Sequence, residues 1–251
     1  MLLNVDNISL SFGSLKAVNE VSMTVESGKI TGLIGPNGAG KTTFFNIISG
    51  VYKPDTGTIT FDGKRIDGKK PFQINEAGIA RTYQVINLFK KMTVLENVMV
   101  GMHSRLNSGF FRSVLRMPDQ RKEEEEVRRR AYEWLGFVNL EDRAHEQAGS
   151  LSYGEQRLLE IVRGLASGPK LILLDEPAAG MNSREKRDLD ELLQRILQKG
   201  VSILLIEHDM KLVMGVTDHI YVLNYGKKLA DGSPAQIQKN TDVITAYLGG
   251  E

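Results

Sequence analysis

At 251 residues, with 32 Lys and Arg against 31 Asp and Glu, the chain is long enough for one large α/β domain, or a core with a smaller subdomain, around a sizeable hydrophobic interior. A formal net charge of +1 leaves no broad cationic excess for phosphate neutralisation, which argues against a bulk nucleic-acid binder. The absence of cysteine excludes a disulfide framework and a thiolate metal site. Met1–Asp6 is not a basic region followed by a long apolar one, and no apolar run reaches the ~18–20 residues that span a bilayer. A soluble, cytosolic chain is expected.

Leu3, Val5, Ile8, Leu10 and Phe12 alternate with polar residues, the period of a half-buried strand, and Val18, Val21, Met23 and Val25 repeat the pattern up to Ser27-Gly28. Ile30–Ile34 reads as a buried strand and Thr43–Ile48 as a helix. Between them Gly35-Pro36-Asn37-Gly38-Ala39-Gly40-Lys41-Thr42 matches G-x-x-x-x-G-K-[ST] in the strand–loop–helix setting that makes it a phosphate-binding P-loop. Glycines let backbone N–H groups turn inward around an anion, and the helix N-terminus adds partial positive charge. Lys41 is predicted to reach the β- and γ-phosphates and the Thr42 hydroxyl to hold Mg²⁺, with Thr43 next to it at the start of the helix. A structural Gly-rich turn would require neither the lysine nor the hydroxyl, so a nucleoside triphosphate is expected here.

Thr58–Phe61 and Lys64–Ile66 flank Asp62-Gly63, a two-residue hairpin signal that predicts an antiparallel sheet near the nucleotide base. From about 92 to 166 the pattern turns helical. Thr93-Val94-Leu95-Glu96 reads as a capped helix start, and Glu124, Glu125 and Glu126 stand four residues before Arg128, Arg129 and Arg130, as on a solvated helix. Gly109–Arg116, amphipathic with paired aromatics, is either a docking surface or a packed loop. After Gly168-Pro169 the α/β pattern resumes: a strand at Leu171–Leu174, a helix at Ser183–Lys199 with Leu189, Leu192, Leu193, Ile196 and Leu197 on one face, and a strand at Val201–Ile206. Gly200 suits the helix C-terminus. Ile220–Leu223 and Lys228–Ala230 form a hairpin about Tyr225-Gly226, and beyond Pro234 a short peripheral helix is expected.

The strand Leu171–Leu174 ends in Asp175-Glu176, the Walker B pattern. Asp175 is placed to support Mg²⁺ near Thr42, and Glu176 to orient or deprotonate a water attacking the γ-phosphate; the alternative is a pair of strand-terminal acids capping the next element. In Leu151-Ser152-Tyr153-Gly154-Glu155-Gln156, Ser152 and Glu155 make an S-x-x-E capping box opening the helix 156–166. The same six residues, shortly before a Walker B strand, resemble the signature of ATP-binding-cassette (ABC) proteins, and the resemblance extends along nearly the whole chain.

That resemblance implies an ABC-type P-loop NTPase: an α/β core (1–91 and 167–235) with an antiparallel β subdomain, an inserted α-helical signature subdomain (92–166) and a C-terminal tail (236–251). It implies ATP and Mg²⁺ as ligands. Phe12 matches the aromatic that stacks on adenine, with Val18 beside it, and Gln84, in Arg81-Thr82-Tyr83-Gln84, matches the glutamine that touches Mg²⁺ and water. His208, in Ile206-Glu207-His208-Asp209, follows its strand as the switch histidine does. Ser152 and Gly154 are expected to contact the γ-phosphate held by a second ATPase subunit, since one chain carries one P-loop and one signature. Asn182 stands where the family usually has Asp, without a charge but able to cap the next helix with Glu185. The long segment 101–130, the stretch Asp175–Asn182 and the ending Ala246-Tyr247-Leu248-Gly249 resemble the ATPase subunit of branched-chain amino-acid importers. The implied partners are a second ATPase subunit, integral membrane permeases and, indirectly, a substrate-binding protein, with the chain peripheral on the cytoplasmic face of the membrane. The Ala-Ala-Gly-x-Asn loop is shared with lipopolysaccharide-export ATPases, and a soluble ABC ATPase acting on ribosomes or DNA is the other alternative.

Overall fold

The structure, a computed structural model, describes residues 1–102 and 118–248. The segment 109–116 and the terminal Gly249-Gly250-Glu251 lie outside the described residues. The chain divides into two compact units, Met1–Arg81 with Lys170–Glu251, and Thr82–Pro169.

The first unit holds two sheets. Strands β1 (Leu3–Phe12), β2 (Leu15–Val25), β4 (Thr56–Phe61) and β5 (Lys64–Arg65) form an antiparallel sheet in the order β2-β1-β4-β5. Its last turn is built as the sequence predicts: Asp62 and Gly63 both take positive φ, 49° and 73°, the conformation of a two-residue hairpin that matches strand twist. The second sheet contains β3 (Ile30–Ile34), β6 (Ile79–Arg81), β7 (Leu171–Asp175), β8 (Ser202–Ile206), β9 (His219–Asn224) and β10 (Lys227–Gly232). Their order is β10-β9-β3-β8-β7-β6, parallel except for β10 at the edge.

Parallel strands covered on both faces read as continuous apolar runs, and β3, β7 and β8 are buried at every position. The pleat sorts their side chains. Leu33, Tyr221 and Leu223 enter one core with Phe44, Phe45, Ile47 and Ile48 of helix α1 (Lys41–Ile48) and the apolar face of the antiparallel sheet. The alternate residues Ile34, Ile220 and Val222 enter another with Val213 of a helix at 210–216 and with Ile237 and Val243. The C-terminal segment is therefore not peripheral. It forms two helices, at 234–238 and 241–248, each seating an aliphatic side chain, Ile237 and Val243, in the core that Ile34, Ile220 and Val222 enter. A five-residue helix carries too few apolar positions to announce a buried face from its own sequence.

The second unit is largely helical. After α2 (Pro71–Ala77) in the first unit come α3 (Val94–Met102), α4 (Pro118–Gly136) and α5 (Tyr153–Ala166), which pack together. Thr93 and Glu96 exchange capping bonds of 2.7 and 3.1 Å at the start of α3. On α4 the expected ion pairs concentrate on one acid: Glu126 takes both Arg129 and Arg130, and Arg129 also reaches Glu133. A guanidinium fork is satisfied by an acid three or four residues away in either direction, so charge spacing alone does not select the partner.

Candidate functional site

Ligands of open α/β sheets bind beyond the carboxyl ends of the parallel strands. Here β8 lies between β3 and β7, so the segment Glu207-His208-Asp209 emerges between the P-loop that follows β3 and the acids that end β7. Glu176 and His208, well apart in sequence, meet for that reason.

The P-loop is seated by close backbone approaches that only glycine allows. A Cβ on Gly35 would stand 2.1 Å from the Leu223 carbonyl oxygen, and one on Gly40 would stand 2.5 Å from that of Ala17. Gly40 has φ of +97° and precedes the first residue of α1, so the loop leads into a helix N-terminus, whose orphan backbone N–H groups suit an anion. The Lys41 ammonium donates to the Gly35 carbonyl at 2.7 Å and to the Pro36 carbonyl at 2.9 Å. Burial pushes its pKa below the ordinary lysine range, opposed by the Glu176 and Asp175 carboxylates. Thr42, on the first turn of α1, is exposed, whereas Ala39 is buried.

Asp175 is buried at the end of β7, and Arg81 donates to it at 3.2 Å. The other arm of that guanidinium bonds Asn46 and Ser49, at 2.7 and 2.8 Å, tying α1 to the strand-end acid. Glu176 follows in the left-handed region, φ 47°, a conformation that costs about 1–2 kcal/mol for a residue with a side chain. Its carboxylate lies 3.6 Å from Nδ1 of the exposed His208. Glu207 is 1% exposed. Its carboxylate accepts the Ala178 N–H at 2.7 Å on one oxygen and the His208 and Asp209 N–H groups at 3.0 and 3.3 Å on the other. One buried acid thus fixes the loop after Glu176 and the loop bearing His208. Asn182 caps helix α6 (Ser183–Gln198), accepting from Arg184 and Glu185 while Glu185 accepts from Asn182. Asp209 caps α7 (Met210–Val216) and pairs with Lys186 at 2.6 Å.

Phe12, at the end of β1, is 47% exposed and packs edge-to-face on Tyr52 with ring centroids 5.4 Å apart. Val18, by contrast, is wholly buried in the core. In the second unit, Gln84 is exposed on a loop, and Ser152 caps α5 with Glu155 in the reciprocal arrangement the sequence predicts. Gly154 is buried in the first turn of that helix. Arg143 braces Glu155 through two bonds of 2.7 and 2.8 Å.

Four charged residues that hold this architecture escaped the sequence reading: Arg81, Glu207, Arg157 and Glu160. Glu207 carried a signal, an acid at the end of a wholly apolar strand. For Arg157 and Glu160 the signal was their i, i+3 spacing on an otherwise apolar helix face.

Among the described residues no helix is long and apolar enough to cross a membrane. Residues 18–179 match the family profile described as ABC transporter, and residues 227–251 match that of the branched-chain amino acid ATP-binding cassette transporter. The chain is 48% identical over 249 residues to the high-affinity branched-chain amino acid transport ATP-binding protein LivG of Salmonella typhimurium, covering 99% of this chain and 98% of that one. It is 47% identical to the corresponding BraF of Pseudomonas aeruginosa over the same shares of both chains. A crystal structure of the ADP conformation of an ATP-binding cassette of an ABC transporter superposes with a TM-score of 0.86 at 36% identity, covering 100% of this chain and 99% of that one. A nucleotide-free cassette gives 0.85 at 35% identity, covering 98% of each chain. On a profile spanning most of its length, and on relatives and structures matched nearly end to end, this chain belongs to the ABC transporter family as one of its ATP-binding, ATP-hydrolysing cassettes.

Proposed function

We propose that the chain is the ATP-driven motor of an importer for branched-chain amino acids. The observation that carries this reading is near-full-length identity to ATP-binding proteins named for that transport, together with the match of residues 227–251 to a profile of the same name. In this reading Gly35–Thr43 hold the triphosphate, Lys41 neutralises its β- and γ-phosphates, and Phe12 faces the adenine. Thr42, Asp175 and Gln84 offer hard oxygen donors, the ligand chemistry that suits Mg²⁺. When bound there, Mg²⁺ would supply positive charge that stabilises the phosphoryl transfer. Glu176 orients a water in line with the γ-phosphate and accepts its proton as the new O–P bond forms and the β–γ bridging bond breaks, releasing ADP and phosphate. His208, beside Glu176, holds the same water or the transferred phosphoryl group. Ser152 and Gly154 close over the nucleotide of a second cassette, homologous or identical, at the N-terminus of α5. The chain sits on the cytoplasmic face of the membrane against permease subunits, which receive the solute from a binding protein.

The test is isolation of the tagged full-length chain from native membranes in mild detergent. Permease-like integral proteins and a second ATPase are expected with it, and recovery only with ribosomes or DNA overturns the transport reading. Lys41→Ala is expected to abolish ATP binding by calorimetry. Glu176→Gln with ATP is expected to elute as a dimer, and a strictly monomeric profile counts against the shared site.

A further inference from the structure

Residues 82–90 form neither helix nor strand, yet their backbone is held by two side chains from one face of α5. The Arg157 guanidinium, wholly buried, donates to the Tyr83 carbonyl at 2.6 Å and to the Gln84 carbonyl at 2.7 Å. Glu160, 2% exposed, pairs with Arg157 at 2.9 Å through one oxygen and accepts the Asn87 N–H at 3.1 Å through the other. Buried Asn97 holds the far end of the loop, accepting from the Phe89 N–H and donating to the Phe89 carbonyl.

Stability does not explain this arrangement. Removing a guanidinium and a carboxylate from water is costly, and apolar residues of the same volume serve a buried site as well or better. The Nε–H of Arg157 even lacks a hydrogen-bond partner, a further cost that packing alone would not select. What the pair supplies is geometry, because a planar fork can reach two successive carbonyls and a carboxylate at once, which an ammonium cannot. The same helix begins at Ser152, where the capping box and the Arg143–Glu155 bonds fix its first turn. Arg157 and Glu160 follow within two turns.

We propose that Arg157 and Glu160 are positioning residues that yoke the Gln84 loop to α5, so that Gln84 and the Ser152–Gly154 turn move as one body when nucleotide binds. This rests on the reading of both as nucleotide contacts. It assigns the pair a mechanical task, with no contact of its own to ATP.

The test compares the full-length chain with Arg157→Met/Glu160→Leu, which removes both charges and keeps the apolar bulk, and with Arg157→Lys. Amide exchange of peptides covering 83–88 is expected to quicken by at least about tenfold in the double variant, while α3 and α5 keep their protection. ATP turnover is expected to lose about tenfold in kcat with KM changed by less than about twofold, and Arg157→Lys to fall between. Unchanged exchange over 83–88 overturns the proposal, as does faster exchange with undiminished kcat. Should the double variant not fold, Arg157→Lys and Glu160→Gln are read by the same two measurements and the same criteria. Lys41→Ala, assayed in parallel, separates the two readings. If it still hydrolyses ATP, the site assignment fails, and the exchange rates alone then decide the yoke.

Discussion

Glu207→Gln is the sharpest probe of how the loops around the candidate site are held. Its carboxylate accepts three backbone N–H groups, Ala178 on one oxygen, His208 and Asp209 on the other. A carboxamide offers a single acceptor oxygen and turns an NH₂ toward the remaining donors. The better rotamer keeps the oxygen on the His208 and Asp209 side and sacrifices the 2.7 Å bond from Ala178. A buried hydrogen bond to a charged acceptor contributes about 1.5–3 kcal/mol, and a donor-to-donor contact left behind adds to its loss. Relief of the carboxylate's own desolvation offsets part of this, which leaves an expected loss of about 2 kcal/mol. That is within the ~5–15 kcal/mol typical of folded proteins, so the variant still folds. Urea denaturation followed by far-UV circular dichroism reads the loss as a lower midpoint at unchanged slope. Because Ala178 stands two residues after Glu176, kcat is expected to fall more than KM. A wild-type midpoint with wild-type kcat would show that Glu207 does not hold these loops.

Asn182→Ala removes the acceptor of two N–H groups at the start of α6 and is expected to cost about 1 kcal/mol in thermal unfolding, whereas Asn182→Asp keeps the cap and stays at or slightly above wild type. Equal loss in both would refute the capping role. At the crossing of α3 and α5 a Cβ on Gly101 would stand 2.1 Å from the Arg163 carbonyl oxygen; Gly101→Ala is expected to cost about 1–3 kcal/mol. The single tryptophan, Trp134 on α4, reports this unit by fluorescence, and undiminished stability would contradict the close crossing. Asp209 is held below its ordinary pKa of 3.8, first by the Lys186 hydrogen bond and then by backbone N–H bonds. A depressed carboxyl pKa contributes stability that is full above the unfolded value and is lost as pH falls through the folded one, here below about pH 4. Asp209→Asn, which keeps a capping oxygen, is therefore expected to flatten the acid limb of the stability curve, and an unaltered limb would remove the pair from the account.

Features built from near neighbours were legible. The Asp62-Gly63 turn follows from which residues tolerate positive φ, and the reciprocal caps at Thr93, Ser152 and Asn182 follow from a hydroxyl or amide three residues ahead of an acid or its equivalent. The buried strands β3, β7 and β8 follow from apolar runs of strand length, and the P-loop from its pattern between a strand and a helix. The C-terminal helices were misplaced because what buries Ile237 and Val243 is a core they share with Ile220, Val222 and Ile34, the last some two hundred residues away.

The sequence by itself determined most of the strands and the longer helices, though not α2, β6 or α7, together with the Asp62-Gly63 turn, the caps at Thr93, Ser152 and Asn182, and the motif residues that point to ATP, because each of these depends on interactions within about one turn of helix or one hairpin. Tertiary structure alone decided the strand order that inserts β8 between β3 and β7 and so brings His208 to 3.6 Å from Glu176. It also decided the tasks of Arg81, Glu207, Arg157 and Glu160. A charged side chain looks solvent-bound in a sequence until the groups that satisfy it are in place, and those groups belong to segments up to 94 residues away.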